Sequence, residues 1–304
     1  TAPQFISTVA RGSSDHAATY FKYASELTLG LPVASIGPSI FSIYGADLLL
    51  GNSACIGISQ SGRSPDIVKM TQSATKQGAL TVAITNEPAS PLADACKHTI
   101  PIHAGTERSV AATKTFVTSA VAGLALLAYW KQDKHLIEAI EKLPMHLENA
   151  VSYNWPQLRY SLGNHGSLFV LGRGPSYAMS NEAALKFKET CQIHAESYSS
   201  AEVLHGPVSI VEPGYPVLVL ASRDASEDSI ASVADELTQK GALTFISSNR
   251  AEYAKRLDFA KTSHPLTDPL ALITSFYAFI ECLSVERGIN PDLPRNLKKV
   301  TETV

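Results

Sequence analysis

Residues 54–66 read Ala54-Cys55-Ile56-Gly57-Ile58-Ser59-Gln60-Ser61-Gly62-Arg63-Ser64-Pro65-Asp66. A short apolar run gives way to three hydroxyls around a glycine, and proline follows at the first helical position. The stretch therefore reads as strand, turn and helix start. Such a turn leaves backbone N–H groups free at a helix N-terminus, where they favour an anion. The hydroxyls of Ser59, Ser61 and Ser64 add donors, Gly62 lets the main chain come close to a ligand, and Lys69 or Arg63 adds charge at the rim. A plainer reading makes Ser64 a helix cap and nothing more, since serine caps well. Position favours the ligand: in an open α/β sheet the carboxyl ends of the strands are the binding edge. A phosphate is the anion that suits this turn.

Working outward, the chain repeats itself. Ala10-Arg11-Gly12-Ser13-Ser14 returns as Gly172-Arg173-Gly174-Pro175-Ser176, an offset of 162. Ser59 returns as Ser222, Gly78-Ala79-Leu80-Thr81 as Gly241-Ala242-Leu243-Thr244, and Phe116 as Phe279, each at 163. Four echoes at nearly one spacing indicate duplication of a whole domain. Each copy alternates β-branched runs with helical patterns, as a parallel sheet flanked by helices requires. Strands are expected at 5–10, 54–58 and 80–85, and again at 167–171, 216–221 and 243–247. Helices are expected at 14–29 and 65–77, with a charged helix at 134–147. The domains are expected to span residues 1–152 and 153–304. In the second copy Ser222-Arg223-Asp224-Ala225-Ser226 lacks the glycine and puts acidic Asp224 where a phosphate would sit. That copy is expected to have diverged from anion binding.

The bulk numbers limit the partners. With 304 residues, 45% of them hydrophobic and 17% charged, the chain has ample material for a core. A formal charge of −3 provides no overall positive field for nucleic acid or an anionic membrane, so any anion is held by local groups. The four cysteines are far apart with no C-x-x-C pair, as expected of reduced thiols in a cytoplasmic protein. The longest apolar stretch, 117–130, is too short to span a bilayer and reads as a core helix. No charged-then-apolar signal segment opens the chain, which starts at Thr1 rather than methionine, as a chain lacking a short N-terminal piece would. The histidines show no H-E-x-x-H or cysteine–histidine ligand spacing, so no catalytic metal is expected. Gly172-Arg173-Gly174 lacks the third glycine of a dinucleotide turn, so no cofactor is expected either.

These motifs together resemble the sugar isomerase (SIS) family. They are Arg11-Gly12-Ser13-Ser14, the turn 59–64, Val110-Ala111-Ala112-Thr113-Lys114, Leu171-Gly172-Arg173-Gly174, the run 182–189, His194-Ala195-Glu196, Glu202-Val203-Leu204-His205-Gly206-Pro207 and Pro294-Arg295-Asn296-Leu297-Lys298-Lys299. Within the family they are most similar to the isomerase half of the glucosamine-6-phosphate synthases and to its stand-alone deaminase branch. The resemblance implies two tandem SIS domains, each a flavodoxin-like three-layer sandwich. It also implies phosphate contacts from Ser59, Gln60, Ser61 and Ser64, contacts to sugar hydroxyls or phosphate from Ser13 and Ser14, and a pocket lined by the Val110 backbone. Glu189 matches the glutamate that moves a proton between C1 and C2, and Lys186 the lysine near it. His205 matches the ring-opening histidine that reaches the site from the neighbouring subunit of a homodimer. Lys299 matches a C-terminal lysine able to form a Schiff base with a keto sugar.

Taken alone, each residue has a plainer reading. Lys186 and Glu189, three apart on a helix, could be a surface ion pair. His205 before Gly206-Pro207 could be a solvent-facing turn histidine, and Lys299 part of a solvated basic tail. The chemistry nonetheless suits them: a carboxylate can take a proton from one carbon and return it to the next, and imidazole can move the ring proton at neutral pH. Two positions depart from the synthases, Arg63 in place of an acidic residue and Ala112 in place of a sugar-contacting serine. A glutaminase domain and its ammonia source are not seen in the chain. The resemblance and these departures imply an amino-sugar-phosphate deaminase, turning glucosamine 6-phosphate and water into fructose 6-phosphate and ammonia. Rival readings are a galactosamine-6-phosphate deaminase, a fructosamine-6-phosphate deglycase, an aldose–ketose phosphosugar isomerase and a non-catalytic phosphosugar sensor. A sensor needs only the serine turn; Glu189, His205 and Lys299 together speak for an enzyme.

Overall fold

Ser53–Ile58 is buried along its whole length, which a strand achieves only with neighbours on both edges and cover on both faces. The computed structural model, which describes residues 2–297, shows those neighbours. The chain divides into two units, one of residues 2–108 and 112–133, the other of Ser109–Ala111 and Lys134–Leu297. In the first, β1 (Phe5–Val9), α1 (Ser13–Leu29), β2 (Val33–Ser35) and the short α2 (Ser39–Ser42) precede β3 (Ser53–Ile58). Then come α3 (Pro65–Lys76), β4 (Leu80–Thr85), α4 (Pro91–Ala95), β5 (His98–Pro101) and α5 (Lys114–Lys131). The sheet runs β2-β1-β3-β4-β5, parallel throughout.

The second unit takes the same path. It begins with α6 (Lys134–Ala150) and α7 (Pro156–Leu162), followed by β6 (Ser167–Gly172), α8 (Pro175–Cys191) and β7 (His194–Ser199). It continues through β8 (Pro216–Val219), α9 (Glu227–Gln239), β9 (Leu243–Ile246), β10 (Lys255–Arg256) and α10 (Asp268–Glu286). Its parallel sheet, read from β7, runs β7-β6-β8-β9-β10. Even local backbone repeats: Gly12 before α1 and Gly174 before α8 both sit at φ 55°, ψ −134°. The duplication read from the sequence is thus visible in topology and in dihedral angles.

All six expected strands are present, with ends shifted by at most a few residues. The four unannounced ones, β2, β5, β7 and β10, are the sheet edges. Edge strands are short or polar and carry no apolar run, as His194-Ala195-Glu196-Ser197-Tyr198-Ser199 illustrates. The helix α6, placed before the 152/153 boundary by the sequence reading, packs within the second unit. It buries Leu136, Ala139, Leu143 and Ala150, and Ser275 Oγ donates to the Ala150 carbonyl at 2.8 Å.

By length and composition α10 could cross a membrane. It is instead the second unit's core helix. Phe276 and Phe279 meet Phe187 of α8 with ring centroids 5.3 and 5.9 Å apart, and Trp155 stacks on Phe279 at 5.8 Å. Burial of aromatic rings at this density is among the largest apolar contributions a core receives.

Away from the core, Asp235 on α9 accepts the backbone N–H groups of Glu252, Tyr253 and Ala254, each at 2.8 Å, fixing the turn before β10. Burial pushes its pKa up, but the three hydrogen bonds and the Arg256 charge outweigh it, and the net shift is down. A depressed carboxylate contributes stability above its unfolded value, 3.8, and loses it as pH falls through the lower folded value. Asp235→Asn is therefore expected to be about 1–3 kcal/mol less stable than the wild type at neutral pH. In denaturant melts the gap should narrow once the pH drops below 3.8; a gap that ignores pH would refute the assignment.

Candidate active site

In the first unit the chain leaves β1 for β2 on one side, then returns to β3 on the other. The reversal opens a crevice at the carboxyl ends of β1 and β3, the position where open α/β sheets bind ligands. Both serine motifs lie there: Ser13 and Ser14 open α1 after β1, and the turn 59–64 follows β3.

The turn's shape is set by contacts that leave little freedom. Ser59 is buried, and its Oγ accepts the Gly62 N–H at 3.1 Å. Ser61 Oγ accepts the Arg63 N–H at 3.3 Å. The Gln60 carbonyl accepts from Asn86 N at 3.2 Å, and the Gly62 carbonyl from Leu92 N at 3.0 Å. Gly62 has φ 62°, and a Cβ there would lie 2.6 Å from Ser90 Cβ, so only glycine fits. Ser64 occupies the N-cap of α3, yet its side chain makes no capping hydrogen bond, and Pro65 sits in the first turn. The plain capping reading of Ser64 is not what the structure shows. Arg63 is exposed at the rim.

Local spacing assigns no role to Arg11 or Asp66. Arg11, in the turn after β1, forms an ion pair through Nε and Nη2 with Asp66 in the first turn of α3. Asp66 is fully buried, whereas the arginine is half exposed. The pair ties the two serine motifs together across adjacent strands. The long sequence separation of the partners explains why spacing alone gave no signal.

The corresponding turn of the second unit closes on itself, as its divergence suggested. Ser176 and Ser222 share a buried hydroxyl–hydroxyl hydrogen bond of 2.5 Å. Arg223 forms a bidentate pair with Asp268 at 2.9 and 2.8 Å and donates to the Thr262 carbonyl at 2.7 Å. Asp224 turns to Ser226, accepting its N–H and its hydroxyl at 2.8 and 2.6 Å.

The second unit carries a different constellation on α8. Lys186, 1% exposed, lies with Nζ 2.6 Å from Glu189 Oε2 and 3.1 Å from Glu182 Oε1. Glu182 is fully buried, and Glu189 keeps 20% of its side chain exposed. Tyr277 of α10 donates to Glu182 Oε1 at 3.0 Å. Burial presses the Lys186 pKa down, but its two carboxylates outweigh this and hold it above the ordinary lysine value. This is no surface ion pair: residues 182, 186 and 189 follow one face of the helix into the protein.

His205 is exposed on the 3-10 turn Val203–His205, where its backbone N–H donates to the Glu202 carbonyl at 3.0 Å. Val110 is half-buried in the segment Ser109–Ala111, where Ser109 Oγ is hydrogen-bonded to Asp292. Just before that segment, Glu107 is a residue that sequence reading missed. Its Oε2 accepts from Thr115 N and Thr115 Oγ1, both at 2.9 Å, and so caps α5. Lys299 lies outside the described residues. The structure thus brings Ser13, Ser14, Ser59, Gln60, Ser61 and Ser64 to neighbouring strand ends, and joins Lys186 to Glu189.

Two tandem parallel α/β units with a serine-rich turn at the switch point define a class, and comparison with known proteins agrees. The SIS domain model matches residues 4–129 and 161–251. The chain belongs to the SIS domain family. It is 32% identical over 299 residues to a glutamine–fructose-6-phosphate aminotransferase [isomerizing] of Methanothermobacter thermautotrophicus, covering 96% of this chain and 50% of that protein. The enzyme of the same description from Aquifex aeolicus is 32% identical over 300 residues, with the same coverage. The chain therefore spans about half the length of these relatives. Among solved structures, a candidate phosphosugar isomerase from Silicibacter pomeroyi DSS-3 is 60% identical with a TM-score of 0.93, covering 95% of this chain and 89% of that one. The C-terminal domain of glucosamine-fructose-6-phosphate aminotransferase from Francisella tularensis is 25% identical with a TM-score of 0.85, over 96% and 87%. A glucosamine-6-phosphate deaminase from Thermotoga maritima, 20% identical with a TM-score of 0.82 over 99% and 92%, shares the fold.

The contrast between the two turns is testable by thermal shift. Fructose 6-phosphate is expected to raise the melting temperature of the wild type and of Ser222→Ala. Gly62→Ala should lose that rise and about 1–3 kcal/mol of stability, from its positive φ and the collision with Ser90. Equal ligand protection of Gly62→Ala and wild type would contradict the site.

Proposed function

We propose that this protein is an amino-sugar-phosphate deaminase of the isomerising kind, converting glucosamine 6-phosphate and water to fructose 6-phosphate and ammonia. The observation that carries the reading is the partly exposed Glu189 carboxylate held by a buried, charged Lys186. Family membership and the 60% identity to a candidate phosphosugar isomerase support the substrate class. The same reading takes each unit as a flavodoxin-like three-layer sandwich, in keeping with its strand order, and the protein as a cytoplasmic homodimer.

The hydroxyl hydrogens of Ser59, Ser61 and Ser64, at the positive end of α3, hold the phosphate, and Gln60, Ser13 and Ser14 bind phosphate or sugar hydroxyls. The Val110 backbone lines the substrate pocket. His205 of the partner subunit moves the proton between O1 and O5 that opens the ring. Its exposure on a surface turn suits a residue working in a neighbouring site. Glu189 then takes the proton from C2; the electron pair moves into a C1–C2 double bond while the C1=O π pair moves to O1, which takes a proton from solvent. Return of the Glu189 proton to C1 opens that double bond and leaves a protonated imine at C2. Water adds to C2 and ammonia departs, giving the ketose; Lys299 is assigned to the keto-sugar side of the reaction. No electrons enter or leave, so the sequence of steps needs no redox cofactor.

Glu189→Gln is expected to lower ammonia release from glucosamine 6-phosphate by about 10²–10⁴-fold while phosphosugar protection in thermal melts persists. Turnover at the wild-type rate would remove Glu189 from the chemistry. Across a panel of glucosamine, galactosamine and fructosamine 6-phosphates, ammonia should come fastest from the first. Subunit sharing has its own test: co-expressed Glu189→Gln and His205→Asn chains should recover about a quarter of wild-type activity, because half the dimers then hold one intact site. A mixture no more active than its components would place His205 in its own chain's site or outside the reaction.

A further inference from the structure

The serine turn satisfies much of its own backbone. The Gly62 N–H donates to Ser59 Oγ at 3.1 Å, and the Arg63 N–H to Ser61 Oγ at 3.3 Å. At the start of α3, Pro65 has no N–H. The Ile67 N–H donates to Asp66 Oδ1 at 2.9 Å and the Val68 N–H to the Ser64 carbonyl at 3.0 Å. Hydroxyls can orient a phosphate, but they carry no charge to offset its own. Charged side chains around the start of α3 therefore govern how tightly the turn holds an anion.

That start already contains an anion. Asp66 lies in the first turn of α3, two residues after Ser64, with its side chain fully buried. A fixed carboxylate there competes with a phosphate for the positive end of the helix and repels it. Burial also keeps water from screening the charge, so a cation must offset it. Arg11 brings that cation from the turn after β1, two residues before Ser13, and reaches Asp66 through Nε and Nη2.

We propose that Arg11 is a positioning residue for the phosphate: by neutralising Asp66 it lets the turn 59–64 accept the substrate's anion. It acts through Asp66, while the turn itself makes the phosphate contacts. This rests on the reading of that turn as the phosphate site. Arg63 and Lys69 also stand near the start of α3, but both are exposed, where water and salt screen their charges. Asp15, in the first turn of α1, is a further acid near Arg11. Burial raises its pKa, and His16 and Arg11 only partly oppose that rise. It is the same in every variant below.

The arginine and the aspartate together are neutral in the wild type, negative in Arg11→Met, positive in Asp66→Asn and neutral again in the double variant. Asparagine keeps an oxygen for the Ile67 N–H. Isothermal titration with fructose 6-phosphate at neutral pH should follow the same order. Arg11→Met is expected to bind about tenfold or more weakly, Asp66→Asn about twofold or more tightly, and the double variant within about threefold of the wild type. The gain in Asp66→Asn should shrink as salt is raised from about 0.05 to about 0.5 M. In turnover of glucosamine 6-phosphate the differences should fall on KM, with kcat changed by no more than about twofold. A purely structural ion pair predicts the opposite sign for Asp66→Asn, because breaking it would loosen the site. Should Arg11→Met fail to fold with Asp66 unpaired, Asp66→Asn and the double variant decide. Wild-type binding with a gain of less than about twofold in Asp66→Asn overturns the proposal alone. So does a double variant more than about threefold weaker than the wild type, which would make the arginine a direct phosphate ligand. A wild type that does not bind fructose 6-phosphate overturns the reading of the turn, and the proposal with it.

Discussion

A parallel strand buried on both faces has no room for polar chemistry along its length, and this constraint organises both units. In β3 every residue from Ser53 to Ile58 is buried, so the chain can present hydroxyls and free N–H groups only where the strand ends. Reversal of strand order between β1 and β3 adds a second strand end beside the first. The serine turns occupy the place where the buried strand ends and two elements converge.

Duplication gave the protein two such places, and the source of one arginine distinguishes them. In the first unit the buried Asp66 at the start of α3 is paired by Arg11, which comes from the turn after β1. The turn after β3 leaves its own Arg63 exposed. In the second unit the buried Asp268 at the start of α10 is paired by Arg223, which comes from the turn after β8 itself. That turn is drawn into an internal ion pair, and Ser222 into a hydrogen bond with Ser176. A buried carboxylate demands a cation in both units. Where the cation comes from decides whether the turn's own arginine is drawn into an internal ion pair.

What the sequence revealed follows from range. The serine turn, its strand and its helix are contiguous, and their reading needed only local rules for glycine, proline and helix starts. The central strands announced themselves as apolar runs. The edge strands β2, β5, β7 and β10 did not, because an edge is half solvated and its residues follow no apolar pattern. Arg11–Asp66 and Tyr277–Glu182 were invisible for another reason: each joins residues distant in sequence, and no spacing rule connects them. The Lys186–Glu189 pair was legible as a pair because it is helical, but its depth was not, since depth depends on α10 packing over α8.

That depth changes what Lys186 can do. A lysine acting as a nucleophile needs its amine uncharged near neutrality, a state that burial in apolar surroundings favours. Lys186 has the burial, but two carboxylates within hydrogen-bonding distance reverse its effect and keep the ammonium charged. It is therefore an anchor for a carboxylate rather than a source of Schiff-base chemistry. With Oε2 of Glu189 taken up by the ammonium, the proposed proton transfer would fall to the part of that carboxylate left at the protein surface. A fixed, partly exposed carboxylate can serve two adjacent carbons in turn without changing rotamer, which a reaction moving one proton from C2 to C1 requires.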